Sequence, residues 1–264
     1  MNEREIIAHI ASITASSDTG GLIKGIGDDC AVVDRDGRRV WLLTLDTLIE
    51  SVHFDCAFHP PQKLGRKVVS VNVSDIGAMG GKPLFALMSV GMPHGFDPAW
   101  FRAFARGVAD ACGEYGCLLI GGDTVASPQG LNFSLTLIGE AERGRVVYRS
   151  GARPGDTIWV SGPLGWAAAG LELLQRGMGG EGDEFLPLLE KHLNPRARVE
   201  LGEQLGASGL VHAMMDLSDG LATDLAHLCA ASGVCGQFWA EKLPGNPLLA
   251  QAAGLVGHDA LGWA

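Results

Sequence analysis

The chain has 264 residues, enough for one or two domains with a sizeable core. Its net charge of −10 argues against a general nucleic-acid surface, which needs a basic patch. A nucleotide ligand stays open, because metal ions can bridge acids to phosphate.

Apolar residues make up 47% of the chain and charged residues 19%, a globular balance. Glycine, at 38 residues, is about twice its usual share of roughly 7%, which suggests tight turns or close backbone approaches to a ligand. The six cysteines form no C-x-x-C pair, so reduced cytosolic thiols are a better reading than a zinc site. The N-terminus is charged and unlike a leader peptide, and no apolar run approaches the roughly 18 residues of a membrane span. A cytoplasmic protein with no membrane partner is expected.

In chain order, Ile6, Ile7, Ile10 and Ile13 share one face of a short amphipathic helix over 4–14. A Gly-rich loop from Asp18 to Gly27 follows, then a strand at 30–34, an Asp36-Gly37 hairpin signal and a strand at 39–46. Pro60-Pro61 opens a helix to about Met79, closed by Gly80-Gly81. A strand at 84–91 leads to a helix capped by Asp97-Pro98 and running to about Tyr115. Strands at 117–121 and 131–140 complete a first unit. The polar turn Ser150–Gly155 suggests a boundary, giving units over 1–148 and 149–264. In the second unit, strands are expected at 156–161, 211–215 and 233–239. Helices are expected at 164–176, 185–192, 196–205 and 218–231, with a Gly-rich loop at 177–182; the pattern weakens after Pro244 and Pro247.

Gly25-Ile26-Gly27-Asp28-Asp29-Cys30 puts two adjacent carboxylates on a glycine-loosened loop before an apolar strand. It is an ordinary turn in one reading and a hard-cation site in the other. Further acids sit where apolar segments meet loops: Asp46, Asp75, Asp123, Asp216 and Asp219. Any one could be a cap or turn acid. Asp75 says most, because a carboxylate among apolar helix neighbours needs a partner. Were these acids to cluster, they would require compensating cations. No P-loop, kinase H-R-D or D-F-G set, or G-x-S-x-G motif is present, and Gly25-x-Gly27 precedes acids rather than a helix.

Six stretches occur in order: Gly25–Cys30; Thr44–Thr47 with His53-Phe54; Val71–Gly80; Gly121–Thr124; Arg149–Asp156; and Asp216–Gly220. Together they closely resemble the bacterial thiamine-monophosphate kinase family, of the aminoimidazole ribonucleotide synthetase-like superfamily. The resemblance implies an α+β chain of two mixed α/β domains of that fold, with N-terminal domains pairing in a dimer barrel, hence a homodimer. It implies Mg²⁺- and ATP-dependent conversion of thiamine monophosphate to thiamine diphosphate by direct in-line transfer. Asp29, Thr44, Asp46, Asp75, Asp123, Asp216 and Asp219 match magnesium ligands, with Leu45 contributing through its backbone. Gly122, Asp123, Arg149 and Ser218 match nucleotide contacts, and His53 a substrate contact. Alternatives are another ATP-using relative, of selenophosphate or aminoimidazole ribonucleotide synthetase type, or a nucleotide-binding module without turnover. Family members continue into a Gly-Gly-Glu-Asp-Tyr-Glu motif and a later aromatic. This chain ends before them, so it reads as C-terminally truncated, with the metal and ATP cage complete and the thiamine pocket open.

Overall fold

Alternating apolar residues build the first half of the chain into one mixed sheet. The structure, a computed structural model, describes residues 1, 3–14, 20–178, 184–243 and 245–263. Parts of the expected loops at 18–27 and 177–182, and Pro244, lie outside the described residues. After α1 (Glu3–Thr14) come β1 (Leu22–Lys24), β2 (Ala31–Asp34), β3 (Arg39–Ile49), α2 (Pro61–Ala78), β4 (Lys82–Met92), α3 (Pro98–Tyr115), β5 (Leu118–Ala126) and β6 (Asn132–Glu142). The sheet order is β1-β2-β3-β6-β4-β5. The β4–β5 pair is parallel and the other pairs are antiparallel.

One face of this sheet is closed by α2 and α3. Val40 and Leu42 of β3, and Phe133, Leu135 and Leu137 of β6, point to that face, where they meet Val68, Val73, Ile76 and Phe104. Phe104 stacks on Phe133 with ring centroids 4.2 Å apart. The alternate positions face away. Leu45 on β3 and Leu87 on β4 are exposed, as is every residue of the edge strand β5.

The second half is helical: α4 (Trp166–Gln175), α5 (Leu186–Leu193), α6 (Val199–Ser208), α7 (Leu221–Ser232) and α8 (Pro247–Val256). Leucines and alanines of α4, α5 and α8 form a second core. The two halves meet through α2: Lys63 pairs with Glu190, Arg66 Nε–H donates to Asn194 Oδ1 at 3.2 Å, and His59 Nε2 lies 3.0 Å from the Leu193 carbonyl. No helix of the described residues is long and apolar enough to cross a membrane.

Several expected boundaries move. β3 runs three residues beyond Asp46, because β6 supplies paired positions as far as Ile49↔Asn132. β5 continues past Gly121 to Ala126 alongside β4. A short strand, β1, interrupts the loop expected over 18–27. The strands expected at 156–161, 211–215 and 233–239 are absent. Apolar alternation marks residues that suit a pleated surface, but a strand also needs a neighbour for its backbone groups. Among the described residues these segments have no ladder partner, and Trp159 is 86% exposed. Met214 N–H donating to the Tyr148 carbonyl at 3.0 Å fixes the middle one. Where the pattern weakened, α8 forms on an Asn246 side-chain cap with proline in its first turn.

The crossing of α2 and α6 depends on glycine. A Cβ on Gly202 would lie 2.0 Å from the Gly77 carbonyl oxygen, two residues from Asp75. Gly202→Ala is therefore expected to destabilise the fold. The roughly 1 kcal/mol gained in helix propensity offsets only part of an overpacking cost of about 1–3 kcal/mol. Gly254→Ala in α8, where a Cβ meets nothing within 4 Å, should leave stability unchanged or raise it. Denaturant midpoints of the two variants check the contrast.

Candidate metal and phosphate site

Three acids far apart in the sequence converge where α2 passes beneath β3. Oxygen atoms of Asp29, Asp75 and Asp216 lie within 4.8 Å of one another. Each comes from a different kind of segment: Asp29 from the glycine loop before β2, Asp75 from the last turns of α2, and Asp216 from the loop before α7.

Neighbouring polar groups hold the three in place. Thr44 Oγ1–H, on the α2-facing side of β3, donates to Asp75 Oδ2 at 2.5 Å. Ser74 hydrogen-bonds the Asp216 carboxylate. Arg149 Nε–H donates to Asp29 Oδ1 at 3.0 Å, and its Nη2 makes a second, short contact to the same oxygen. The backbone N–H of Arg149 donates to Asp28 Oδ1 at 3.1 Å, so adjacent acids grip one arginine at two points. Ser232 Oγ–H, at the end of α7, donates to the Arg149 carbonyl at 3.1 Å.

Burial dominates the electrostatics. It pushes the Asp29 carboxyl up to about 7, with the Arg149 hydrogen bonds opposing and Asp216 adding to the rise. Asp75 is pushed up to about 8 by burial and then by Asp216, with Thr44 opposing. Burial raises Asp216 to about 6 against the Ser74 hydrogen bond. Asp46 is also raised by burial. The donors are all oxygen, the set hard divalent cations prefer. Asp29 Oδ2 is buried with no hydrogen-bond partner, as is Asp28 Oδ2. An unpaired buried carboxylate oxygen beside two further carboxylates fits a metal ligand.

The other candidate residues surround this cluster without all joining it. Asp46 N–H donates to Asn72 Oδ1 at 3.0 Å, which fixes β3 against α2. The Leu45 side chain points to the open face, so only its backbone could serve the site. Asp123 and Gly122 lie on exposed β5, where Asp123 Oδ1 accepts the Thr124 N–H at 2.8 Å. Gly122 is required there by its neighbour, since a Cβ would meet the Met88 carbonyl oxygen at 1.8 Å. Ser218 and Asp219 are exposed, with both amides bonded to Asp224. His53 is exposed, and its Nδ1 accepts the Ile49 N–H at 3.0 Å. A neutral ring therefore carries its proton on Nε2, free to donate to an anion.

Asn72, Ser74, Lys67 and Asp224 are supporting residues that sequence reasoning passed over. Lys67, buried on α2, donates to the His53 carbonyl at 3.2 Å. A signal was present for two of them, since Asn72 and Ser74 are polar residues inside the apolar run that carries Asp75.

With fold and site described, the family comparisons agree. Residues 27–141 match the AIR synthase related protein N-terminal domain, and 153–252 its C-terminal domain. The chain is thus an AIR synthase related protein. It is 41% identical to the thiamine-monophosphate kinase of Aquifex aeolicus (strain VF5) over 225 residues, covering 84% of this chain and 70% of the relative. The Escherichia coli O157:H7 thiamine-monophosphate kinase is 36% identical over 241 residues, covering 91% and 72%. The solved structure of AaThiL complexed with AMPPCP and TMP superimposes with a TM-score of 0.90 at 37% identity, covering 99% of this chain and 80% of that one. The chain belongs to the thiamine-monophosphate kinase family, and as such is an enzyme of the kinase class.

The raised carboxyls set a pH dependence. An unfolded Asp titrates near 3.9, so between about pH 4 and 8 the folded chain binds more protons at Asp29, Asp75 and Asp216 than the unfolded chain does. Stability therefore falls as pH rises through that window. His59 and His192, lowered by burial to about 3, act in the opposite direction only below about pH 6.5. In chelator, the thermal midpoint is expected to fall from pH 6.5 to 8, and Asp75→Asn should flatten that fall. An equal slope in the variant would show that Asp75 does not titrate there.

Proposed function

We propose that the chain transfers the γ-phosphate of ATP to thiamine monophosphate, giving thiamine diphosphate, in a Mg²⁺-dependent in-line reaction. One observation carries this reading: three carboxylates from separate segments, Asp29 buried and Asp75 and Asp216 half-buried, meet at one point, with Arg149 beside them. Joining two anionic phosphates demands chiefly charge neutralisation and positioning, with no covalent intermediate on the protein.

In this reading Asp29, Thr44, Asp46, Asp75, Asp123, Asp216, Asp219 and the Leu45 carbonyl hold magnesium. Magnesium held there would supply neutralisation of the charge on phosphate oxygens. Arg149, already oriented by Asp28 and Asp29, offers its remaining guanidinium N–H groups to the nucleotide phosphates. Gly122, Asp123 and Ser218 complete the nucleotide contacts. His53, its proton directed to Nε2, donates to the phosphate of thiamine monophosphate. An oxygen of that phosphate, ionised at neutral pH, attacks the γ-phosphorus. The new P–O bond forms as the bond to the β,γ-bridging oxygen breaks, and ADP leaves with that electron pair. No general base is required.

The reading includes two domains, 1–148 and 149–264, a cytoplasmic location and a homodimer. The sheet supports the dimer: its face opposite α2 and α3 is uncovered, and β5 exposes Leu118, Leu119, Ile120 and Val125. An apolar edge strand of that length invites pairing unless a partner covers it. Sedimentation is expected to give a dimer and Ile120→Asp a monomer; a wild-type monomer at micromolar concentration would end the dimer proposal.

The central test is product formation from thiamine monophosphate, ATP and Mg²⁺, read as thiamine diphosphate by chromatography. Wild type should form it, and no diphosphate from the folded chain would sink the reading. Asp75→Asn should weaken Mg²⁺-dependent nucleotide binding by at least the roughly ten-fold typical of losing even a supporting group at a metal site, with the fold intact by circular dichroism.

A further inference from the structure

The loop Asp216–Gly220 carries two of the acids and enters α7 at Gly220, an N-cap position with no side chain to offer. A helix start leaves four amides without acceptors inside the helix, and such an end attracts anions, phosphate among them. Just ahead of that end, two amides of the preceding turn are bonded from within the chain. Asp224, one turn into α7, turns its carboxylate back so that Oδ2 accepts the Ser218 N–H at 3.0 Å and the Asp219 N–H at 3.1 Å. Its own N–H donates to the Gly220 carbonyl at 3.0 Å, closing the first helical turn. Asp224 is only 4% exposed, so these bonds are shielded from water. Hydrogen bonds to an ionised carboxylate are roughly twice as strong as neutral ones.

The geometry points to Asp224 as a positioning residue of the acid site, one that locks the 216–220 turn so that it presents the carboxylates of Asp216 and Asp219 rather than its amides. The inference deepens the proposed metal and nucleotide reading and rests on it. Two consequences follow from the bonds. The Ser218 and Asp219 amides are already taken, so neither can donate to a phosphate. Ser218 can then meet a nucleotide only through its hydroxyl or carbonyl. Asp224 touches no substrate in this account; it acts through the turn.

The test compares wild type with Asp224→Asn, which keeps the size and loses the charge. Two quantities are read: hydrogen–deuterium exchange over residues 216–220 in metal-free protein, and the Mg²⁺ concentration giving half-maximal binding of a non-hydrolysable ATP analogue. Exchange at Ser218 and Asp219 is expected to accelerate. The Mg²⁺ midpoint should rise about ten-fold, the lower end of what loss of an outer-shell partner typically costs, with full binding recovered at saturating Mg²⁺. Simple loss of folded protein would lower the amplitude and leave the midpoint in place, so an unshifted midpoint overturns the proposal. Unchanged exchange overturns it as well, whatever the metal does. Asp224→Glu, which keeps the charge one methylene further out, is expected to fall between the two and carries the same comparison if Asp224→Asn does not fold. Analogue binding by wild type that needs no Mg²⁺ would sink the metal reading instead, a result visible apart from the exchange arm.

Discussion

Mutual repulsion of buried carboxylates is the constraint around which the rest of the chain is arranged. Two unit charges about 4.8 Å apart repel by roughly 3–4 kcal/mol at an effective dielectric of about 20, and three aspartates converge at that spacing. Burial adds its own penalty. A chain selected only for stability would not gather them. What keeps them together is a rigid frame: α2 is held against α6 by the Gly77–Gly202 approach and against β3 by the Thr44–Asp75 and Asp46–Asn72 bonds. Each of those contacts lies within a few residues of an acid. The frame's stability offsets strain stored at the site.

The compensation inside the chain is incomplete, and its shape is informative. Arg149 occupies one oxygen of Asp29 and leaves the other buried and unbonded. Thr44 and Ser74 each supply a neutral donor to Asp75 and Asp216. Burial first, and then the neighbouring acids, raise all three carboxyls, and one cation against three carboxylates leaves protons to make up the balance. A divalent cation would displace those protons, tying metal binding to pH.

How much of this could be read in the sequence follows from what each signal encodes. In the first half, strands pair mostly with antiparallel neighbours and have one covered face, so alternation such as Val40, Leu42 and Phe133, Leu135, Leu137 marks element and orientation together. In the second half, Ile158 and Val160 alternate just as well, yet no strand forms without a ladder partner. Asp75 was legible as a carboxylate among apolar helix neighbours. Asp216 could be read only together with Asp46, Asp123 and Asp219, as acids where apolar segments meet loops, and Asp29 only as one of two acids on a glycine loop. Asp224 gave no such signal, because a polar residue on a helix is ordinary until its hydrogen-bond partners are known. Asp123 shows the opposite limit. Its Gly-Gly-Asp-Thr context is conspicuous, but the chain places it on the exposed edge strand β5, outside the cluster of three.

In the proposed reading, Asp224 and Arg149 together set how a phosphate would be met without a glycine-rich loop of the P-loop kind. A P-loop turns helix-start amides toward the phosphate, so the backbone itself is the anion receptor. Just before α7 the chain spends the Ser218 and Asp219 amides on the Asp224 carboxylate. The acids Asp216 and Asp219 lie on the same turn. An anion can approach such a surface only with cations between, and Arg149 is the guanidinium bonded at the cluster. The chain's net charge of −10 has the same implication at larger scale: two anionic substrates would be repelled by the bare protein and admitted with their metal ions. The proposed dependence on a divalent cation would then follow from how the site is built, from which groups would face the phosphate and which are bonded within the chain.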